Sequence, residues 1–393
     1  MGNPLAYLDD ELNDLREKGL FRWPRLLESA QEPVAVYDGR EVINLCSNNY
    51  LGLANHPKLK AAARRALDEL GIGSGAVRTI AGNMAIHKEV EAELARFKHT
   101  EATLLYQSGF TANAGTVAAI LGKDDVIVSD ELNHASIIDG ARLSGADKKI
   151  YPHKDVAAAR RMLQESRGAR HVLLITDGVF SMDGDIAPLP DLVALAEEFG
   201  AIMMVDDAHA SGVLGANGRG TIDHFGLHGR VHIQVGTLSK AFACQGGYVA
   251  GSQLLVDYLI HRARPLLFST SHPPSVAASA LAGVRLVEEE PEIIERLWNN
   301  TRLFKRGLAQ LGFDTGVSET PITPVITGDE RLAMELSDRL FDAGVFAFGI
   351  AFPTVPRGKA RVRTIVTAGH TEGQLQQALD AFARVGRGLH LIP

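Results

Sequence analysis

Residues 201–209 read Ala-Ile-Met-Met-Val-Asp-Asp-Ala-His, and residues 231–240 read Val-His-Ile-Gln-Val-Gly-Thr-Leu-Ser-Lys. Each stretch begins with a short apolar run, Ala201–Val205 or Val231–Val235, and a run of this length predicts a buried β-strand. Polar residues follow each run closely. Because ligands of open α/β sheets bind beyond the carboxyl ends of the strands, these polar residues are candidates for a functional site.

Similar apolar runs recur between about residues 40 and 255, with helical patterns between several of them. One such pattern has Ile86, Val90, Leu94 and Phe97 on a single face. The further predicted strands are Ala102–Tyr106, Asp125–Val128, His171–Ile175 and Tyr248–Ala250. Strands that alternate with helices predict an α/β fold whose mostly parallel sheet is flanked by helices.

The two ends of the chain differ in pattern from this central part. The N-terminal end is charged and predicts a helix over Ala6–Lys18. Toward the C-terminus, a long helical stretch near Pro273–Leu311 precedes a smaller α+β segment with apolar runs at Ile322–Ile326 and Arg361–Thr367. The predicted division is an N-terminal arm (1–45), a large domain (46–280) and a small C-terminal domain (281–393).

Composition excludes several classes of protein. The 393 residues are 46% hydrophobic, enough for a packed core and too many for a disordered chain. A net charge of −7 without a long single-sign run argues against nucleic-acid binding. Two cysteines, Cys46 and Cys244, are too few for a disulfide framework. Because no apolar run is long enough for a membrane span and the acidic N-terminus lacks a signal-peptide pattern, we expect a cytoplasmic enzyme.

Five of the predicted strands are followed by residues that could bind or react with a ligand. At the first, Gly109 forms a turn before a helical pattern, and such a helix start presents free N–H groups to an anion, usually phosphate. Any one of these segments alone is better explained as a turn, a helix cap or a solvated side chain. Five such segments at one edge of a sheet favour a functional site. The segments are Ser108-Gly109-Phe110, Asn133-His134, Asp177–Gly184, Asp206–His209 and Thr237–Lys240.

The chemistry of these groups predicts a cofactor. The amine of a lysine can form a Schiff base, a carboxylate can keep a pyridine nitrogen protonated, a histidine can stack on an aromatic ring, and a glycine turn can hold a phosphate. Pyridoxal 5'-phosphate requires all four. Asp206 would keep the ring nitrogen protonated, and His209 is close enough in sequence to reach the phenolic oxygen.

Five longer motifs then suggest a family. They are Asn48–Leu53, Asn133–Gly140, Asp177–Gly184, Val205–His209 and Gly236–Lys240. Their sequences and order resemble the α-oxoamine synthases, pyridoxal-phosphate enzymes of fold type I that join an amino acid to an acyl-CoA. The resemblance extends over essentially the whole chain. It implies that fold, that cofactor, and a homodimer whose active sites are shared between subunits.

The resemblance also implies roles for individual residues. Lys240 would form the Schiff base, Asp206 would pair with the pyridinium nitrogen, and His134 would stack on the ring. Further cofactor contacts are implied for Gly109, Phe110, Ser181, His209 and Thr237, and for Ser269 and Thr270, which would reach the phosphate of the neighbouring subunit.

Substrate contacts follow from the same resemblance. Arg363 matches an arginine that pairs with the carboxylate of the amino acid, and a guanidinium group suits a carboxylate in a bidentate manner. Asn48 matches an asparagine on the substrate side. Arg22 and Thr354 correspond to contacts with the substrate or the acyl-CoA.

Several activities remain open at the level of sequence. Within the family, the pattern is most similar to glycine C-acetyltransferase, which implies condensation of glycine with acetyl-CoA to 2-amino-3-oxobutyrate in threonine and glycine metabolism. The alternative is 8-amino-7-oxononanoate synthase, which joins pimeloyl-CoA to L-alanine with decarboxylation in biotin biosynthesis; one chain could have both activities. An aminotransferase of the same fold would not consume acyl-CoA, and Lys240, His134 and Arg363 argue against a catalytically silent cofactor-binding protein.

Two further patterns are not interpreted as sites. The segment Gly71–Ala76 matches a dinucleotide-binding fingerprint, but a helical pattern precedes it where that fingerprint needs a strand. His224, His228 and His232 are four residues apart, but glycines interrupt the helix that would align them as metal ligands. No metal site is predicted.

Overall fold

A computed structural model describes residues 3–18 and 21–393 of the chain. The strands are β1 (Val34–Tyr37), β2 (Arg40–Asn44), β3 (Ala102–Tyr106), β4 (Val126–Asp130), β5 (Asp147–Tyr151), β6 (Val172–Asp177), β7 (Ile202–Asp206), β8 (Ile233–Thr237), β9 (Gly247–Gly251), β10 (Ile322–Gly328), β11 (Val345–Phe346), β12 (Phe348–Ile350) and β13 (Ala360–Ile365). The helices are α1 (Tyr7–Glu17), α2 (Pro57–Leu70), α3 (Ala85–Lys98), α4 (Gly109–Ile120), α5 (Ala135–Ser144), α6 (Val156–Glu165), α7 (Leu189–Phe199), α8 (Thr221–His224), α9 (Gln253–Arg262), α10 (Arg264–Leu267), α11 (Pro274–Glu289), α12 (Glu292–Leu311), α13 (Glu330–Asp342) and α14 (Glu372–Gly388).

The central sheet has seven strands in the order β3-β9-β8-β7-β6-β4-β5. Strand β9 is antiparallel to both of its neighbours, whereas the pairs from β8 to β5 are parallel. Side chains alternate between two apolar cores, so Leu173 and Ile175 of β6 join one core while Leu174 joins the other. The predicted fold class, an α/β fold of type I with a mostly parallel sheet flanked by helices, is therefore confirmed.

Several strands extend further toward their carboxyl ends than the apolar runs suggested. Strand β7 ends at Asp206, one residue beyond the predicted end, and β6 ends at Asp177, which lies opposite Asp206 in the sheet. Backbone hydrogen bonding continues through these polar residues because it does not depend on the side chain. Strand β5 was not predicted, since its sequence Asp-Lys-Lys-Ile-Tyr is mostly polar, as suits the edge of a sheet.

The terminal parts of the chain differ in detail from their predictions. Helix α1 lies within the predicted range. The helical stretch predicted near Pro273–Leu311 is present as two helices, α11 and α12, separated at Glu290-Pro291. Proline lacks the N–H that a continuous helix needs and clashes with the preceding turn.

Two small sheets form from the ends of the chain. Strands β10, β13 and β12 make one of them, and β1, β2 and β11 make the other. Ile43 and Leu45 of the N-terminal arm share an apolar core with Phe304 and Phe382. Residue 280 lies inside α11, and the division into three regions stays a prediction. Within the described residues, no helix is both long and apolar enough to cross a membrane.

Candidate active site

A cavity of about 240 Å³ opens at the carboxyl ends of the strands of the central sheet. It is lined by Ser108, Gly109, Phe110, His134, Ser136, Asp177, Val179, Asp206, Ala208, His209, Thr237, Ser239 and Lys240. The residues among these that were predicted as cofactor contacts are Gly109, Phe110, His134, Asp206, His209, Thr237 and Lys240. The structure therefore brings residues from five separate segments to one place, and we call this space the first cavity.

Lys240 lies in the turn that follows β8. Burial lowers the pKa of its amine, Asp206 and Asp177 oppose this shift, and the charge of Arg363 adds to it. A buried lysine loses its proton more readily, and the neutral amine is the form that attacks a carbonyl carbon. The environment of Lys240 therefore suits Schiff-base chemistry.

Asp206, the last residue of β7, is buried, and both of its carboxylate oxygens are held. Asn113 Nδ2 donates to one oxygen at 2.6 Å, and the backbone N–H of Ala208 donates to the other at 2.9 Å. These two hydrogen bonds fix the orientation of the carboxylate at the end of β7. Asn113 was missed in the sequence, although an amide one turn after the Gly109 turn, in a helix of mostly small and apolar residues, is a usable signal.

The two histidines of the first cavity are neutral at pH 7. Burial lowers the pKa of His134, and it lowers the pKa of His209 well below its usual value, where the charges of Lys240 and Arg363 add to the effect. His209 Nδ1 lies 2.8 Å from the hydroxyl of Tyr50. Both imidazoles can therefore contact a cofactor without adding a positive charge.

The turn between β3 and α4 forms a cradle for an anion. Ser108 caps α4 through a hydrogen bond from Thr111 N to its Oγ at 3.1 Å, and Gly109 is the first residue of the helix. The backbone of β9 passes directly against this turn, since a Cβ atom on Gly247 would lie 2.4 Å from the carbonyl carbon of Ser108. The N–H groups at the start of α4 remain available for a phosphate.

The residues of the first cavity fit pyridoxal phosphate. They include a desolvated lysine, a carboxylate held by two hydrogen bonds, two neutral imidazoles and a helix start suited to phosphate. Asp177 Oδ1 and Asn113 Oδ1 are buried without a hydrogen-bond partner among the described residues. Burial and the nearby charge of Asp206 also raise the pKa of Asp177 well above its usual value. Unsatisfied polar atoms of this kind are expected where a ligand binds.

A second cavity of about 390 Å³ contains the predicted substrate residues Arg22, Thr354 and Arg363. Its wall is otherwise mostly apolar: Leu15, Met182, Met334, Phe348, Gly349, Ile350, Ala351, Phe352 and Pro353. Arg22 donates to both carboxylate oxygens of Asp338, at 3.0 and 3.2 Å. The two cavities are neighbours, because Val179 lines the first and Met182, three residues further along the same segment, lines the second.

Arg363 is available to a ligand. Its Nη1 donates to the carbonyl oxygen of Ser181 at 3.1 Å, and it forms no ion pair with any residue in the described part of the chain. The predicted contact of Ser181 with the cofactor is untested, and the structure shows this residue supporting Arg363 instead.

Asn48, Ser269 and Thr270 line neither cavity. Asn48 Oδ1 is buried without a partner among the residues described. The carbonyl oxygens of Ser269 and Thr270 accept hydrogen bonds from Gln107 Nε2, at 3.3 and 2.9 Å, next to the Ser108 turn. The predicted roles of these three residues stay predictions.

The patterns set aside in the sequence form no site in the structure. His228 Nε2 lies 2.7 Å from Asp223 Oδ1, while His232 Nδ1 accepts a hydrogen bond from Met203 N. Across residues 3–18 and 21–393, no group of three or more His, Cys, Asp or Glu side chains is arranged to hold a metal ion. The segment 71–76 follows helix α2 rather than a strand.

Comparison with known proteins decides the family. The family described as aminotransferase class I and II matches residues 40–382. The chain belongs to this family. It is 62% identical over 387 residues to the 8-amino-7-oxononanoate synthase of Symbiobacterium thermophilum, covering 98% of this chain and 99% of the relative. It is also 54% identical to 8-amino-7-oxononanoate synthase 1 of Bacillus subtilis, covering 100% of both chains.

A solved structure gives the same assignment. The serine palmitoyltransferase of S. paucimobilis, with a bound PLP–myriocin aldimine, superposes with a TM-score of 0.94 at 32% identity, covering 99% of this chain and 98% of that one. Within the aminotransferase class I and II family, the chain is thus an α-oxoamine synthase, an acyltransferase that depends on pyridoxal phosphate. The predicted family and cofactor are confirmed.

The preference for glycine C-acetyltransferase is wrong. Full-length relatives at 54–62% identity are 8-amino-7-oxononanoate synthases, which favours the alternative reading. Acetyl-CoA, glycine and threonine catabolism therefore receive no support. The motifs could not make this distinction, because they carry the chemistry that the whole family shares, whereas most of the wall of the second cavity lies outside them.

Proposed function

We propose that this α-oxoamine synthase is an 8-amino-7-oxononanoate synthase, which joins L-alanine to pimeloyl-CoA and releases CoA and CO₂. The second cavity carries this proposal. It provides a mostly apolar wall, including Met182, Met334 and Phe348, beside the cavity that contains Lys240. An acetyl group would leave most of that wall uncovered, whereas a pimeloyl chain has methylene groups to bury against it. The full-length identity with enzymes of this name supports the same substrates.

Each residue of the site then has a definite part. Pyridoxal phosphate, when bound, supplies a covalent attachment for the amino acid and a sink for the electrons left on its Cα. Lys240, as a neutral amine, takes the proton from Cα and can return one to the product. Asp206 keeps the ring nitrogen protonated. Arg363 pairs with the carboxylate of alanine, which fixes the orientation of Cα.

Substrate preference is the direct test. We expect kcat/KM for pimeloyl-CoA with L-alanine to exceed that for acetyl-CoA with glycine by about 10²- to 10³-fold, since about four additional methylene groups at about 0.8 kcal/mol each can be buried. The measurement is the rate of thiol release, together with the rate of CO₂ release for alanine.

Three results would contradict the proposed function. Equal or faster turnover of acetyl-CoA with glycine would support glycine C-acetyltransferase activity, against which the full-length relatives argue. Formation of pyruvate from alanine without release of CoA would indicate an aminotransferase. Bound cofactor without any turnover would indicate a catalytically silent protein.

We also propose that the active protein is a homodimer with shared active sites. Large apolar side chains are exposed near the Gly109 turn: Ile80 is 82% exposed, Phe268 72% and Phe110 45%. They lie on segments that are joined to one another, since Val77 pairs with Thr270 in an isolated bridge and Gln107 contacts Thr270. Clustered exposed apolar side chains are typical of subunit interfaces.

Mixed dimers test whether the sites are shared. One variant is Lys240→Ala, and the other carries Ser269→Ala and Thr270→Ala. If Ser269 and Thr270 complete the site of the partner, a mixed dimer has one site with both defects and one site with neither. We expect up to about half of the wild-type activity per mixed dimer, provided that each parent variant is inactive alone. Verified mixed dimers without recovered activity would show that each subunit supplies its own complete site.

A further inference from the structure

His153 joins two loops of the active site from a position outside both cavities. Its Nδ1 lies 3.0 Å from Asp130 Oδ1, at the end of β4, and its Nε2 lies 3.0 Å from Asp185 Oδ2, beyond the end of β6. The carboxylate side chains are only 2% and 1% exposed. The imidazole also packs against Phe180 in a T-shaped arrangement, with the ring centroids 4.4 Å apart. His153 therefore connects β4, which precedes His134, with the segment that follows β6.

The contacts require a charged ring. A carboxylate only accepts hydrogen bonds, so two such partners need a proton on each ring nitrogen of His153. Burial opposes the charge, but the hydrogen bonds to Asp130 and Asp185 outweigh it and raise the pKa of His153 to about 9. Burial alone would raise the pKa of Asp185. The hydrogen bonds from His153 and Lys154 and their charges outweigh burial, so the net effect is a lowered pKa.

The other charged groups around His153 complete this cluster. Lys154 Nζ lies 3.1 Å from Asp185 Oδ2, and the backbone N–H of Lys154 donates to Asp130 Oδ2 at 2.9 Å. Glu131 accepts from the backbone N–H of His153 at 2.9 Å, and Glu319 lies 3.9 Å from Lys154. Among the residues described, His153 is thus the one whose charged side chain contacts both buried aspartates.

Asp185 ends a loop, residues 178–185, that borders both cavities. Phe180 N donates to Asp185 O at 3.0 Å, and Gly184 N donates to Phe180 O at 2.8 Å, which closes the loop on itself. Val179 lines the first cavity, and Met182 lines the second. The loop also supports Arg363 through the carbonyl of Ser181. A shift of the loop would therefore move the guanidinium group.

We propose that His153 is a positioning residue for recognition of the amino-acid carboxylate. By holding Asp130 and Asp185 together, it fixes the 178–185 loop, whose Ser181 carbonyl orients Arg363; the role given to Arg363 rests on the proposed function. His153 touches neither the substrate nor the cofactor. Its effect is on the binding of L-alanine more than on the proton transfer at Cα.

The charge of His153 gives this effect a pH dependence. Because the pKa of the folded protein lies above the ordinary value of 6.5, the contribution of His153 is complete below about pH 6.5 and is lost as the pH rises through about 9. We expect the KM for L-alanine to rise through pH 9 in the wild type. In His153→Gln, we expect KM to be raised 10- to 100-fold already at pH 7, as when a binding group is misplaced, and this alkaline rise to disappear.

The experiment compares wild type, His153→Gln and His228→Gln with bound cofactor. His228 is a matched control, because it also pairs with an aspartate, Asp223, and this pair includes no residue of the loop. Steady-state kinetics between pH 6.5 and 9.5 give kcat and the KM for L-alanine, and titration of the cofactor absorbance with L-alanine gives Kd without turnover. Hydrogen–deuterium exchange at pH 7, without substrate, reports on the amides of Phe180 and Gly184.

The expected result is faster exchange in the loop, a raised KM and Kd, and a nearly unchanged kcat in His153→Gln only. Unchanged exchange and an unchanged pH profile would overturn the positioning role. If His153→Gln does not fold, Asp185→Asn removes the same ion pair and must show the same changes. Failure of the wild type to turn over L-alanine would refute the proposed function alone, because exchange and Kd are measured without turnover.

Discussion

Lys240→Ala is expected to lower kcat by about 10⁴-fold, the upper end of the range for loss of a group that transfers a proton. It should also abolish the covalent link between protein and cofactor that borohydride reduction traps. The reason is structural: among the residues that line the first cavity, Lys240 is the one amine, and burial lowers its pKa. The cofactor itself can still bind to Asp206 and the Gly109 turn, so cofactor content measured after dialysis should fall less than activity.

Lys305→Ala is a suitable control for this experiment. Burial lowers the pKa of Lys305 to about 8, and its Nζ contacts Ser318 rather than either cavity. The Lys305→Ala variant therefore tests whether another buried lysine with a lowered pKa can form the covalent link to the cofactor. Trapping of the cofactor on a lysine other than Lys240 in the wild type, located by peptide mass spectrometry, would refute the assignment.

Lys98→Met is expected to lower the free energy of unfolding by about 3–5 kcal/mol, as when one partner of a buried ion pair is removed. Lys98 and Asp207 are 1% and 0% exposed, and Lys98 Nζ lies 3.0 Å from Asp207 Oδ2. Burial works against the charge of Lys98, but Asp207 outweighs it and raises the pKa of the amine. The variant would leave the Asp207 carboxylate with hydrogen bonds from Thr221 but without a counter-charge.

Lys58→Met provides the matched control for chemical denaturation at equal cofactor saturation. Lys58 makes an exposed ion pair with Glu290 at 2.6 Å. Pairs of this kind contribute about 1 kcal/mol or less. If the free energy of unfolding falls no more in Lys98→Met than in Lys58→Met, the buried ion pair does not contribute the expected stability. Because Asp207 adjoins Asp206, a fall in cofactor affinity should accompany the fall in stability.

The first cavity could be predicted from sequence because its residues directly follow buried strands. Parallel strands bring their carboxyl ends to one edge, so local patterns such as the one ending at Lys240 were enough to place His134, Asp206 and Lys240 together. Asp177 belonged to a recognised segment, but no pattern showed that its carboxylate would lie beside Asp206. That neighbourhood depends on the register of β6 and β7.

The second cavity could not be predicted in the same way. Arg22, Thr354 and Arg363 come together through the packing of the N-terminal arm on the C-terminal part of the chain, and no local periodicity reports such packing. The preference for one acyl chain could not be predicted for the same reason. It depends on the shape of a wall made by residues such as Met334 and Phe348, which no catalytic motif includes.

The position of β3 has a consequence for synthesis of the protein. Among the strands of the described residues, this edge strand, which leads into the phosphate cradle, pairs with β9 alone, and the chain between the two strands contains β4 to β8. A nascent chain that has not yet emerged from the ribosome as far as Gly251 has no strand to hold β3 in place. Loop closure over so long a segment is slow. The cradle is therefore completed after the strands that carry His134, Asp206 and Lys240, and capture of the cofactor phosphate is a late event in maturation.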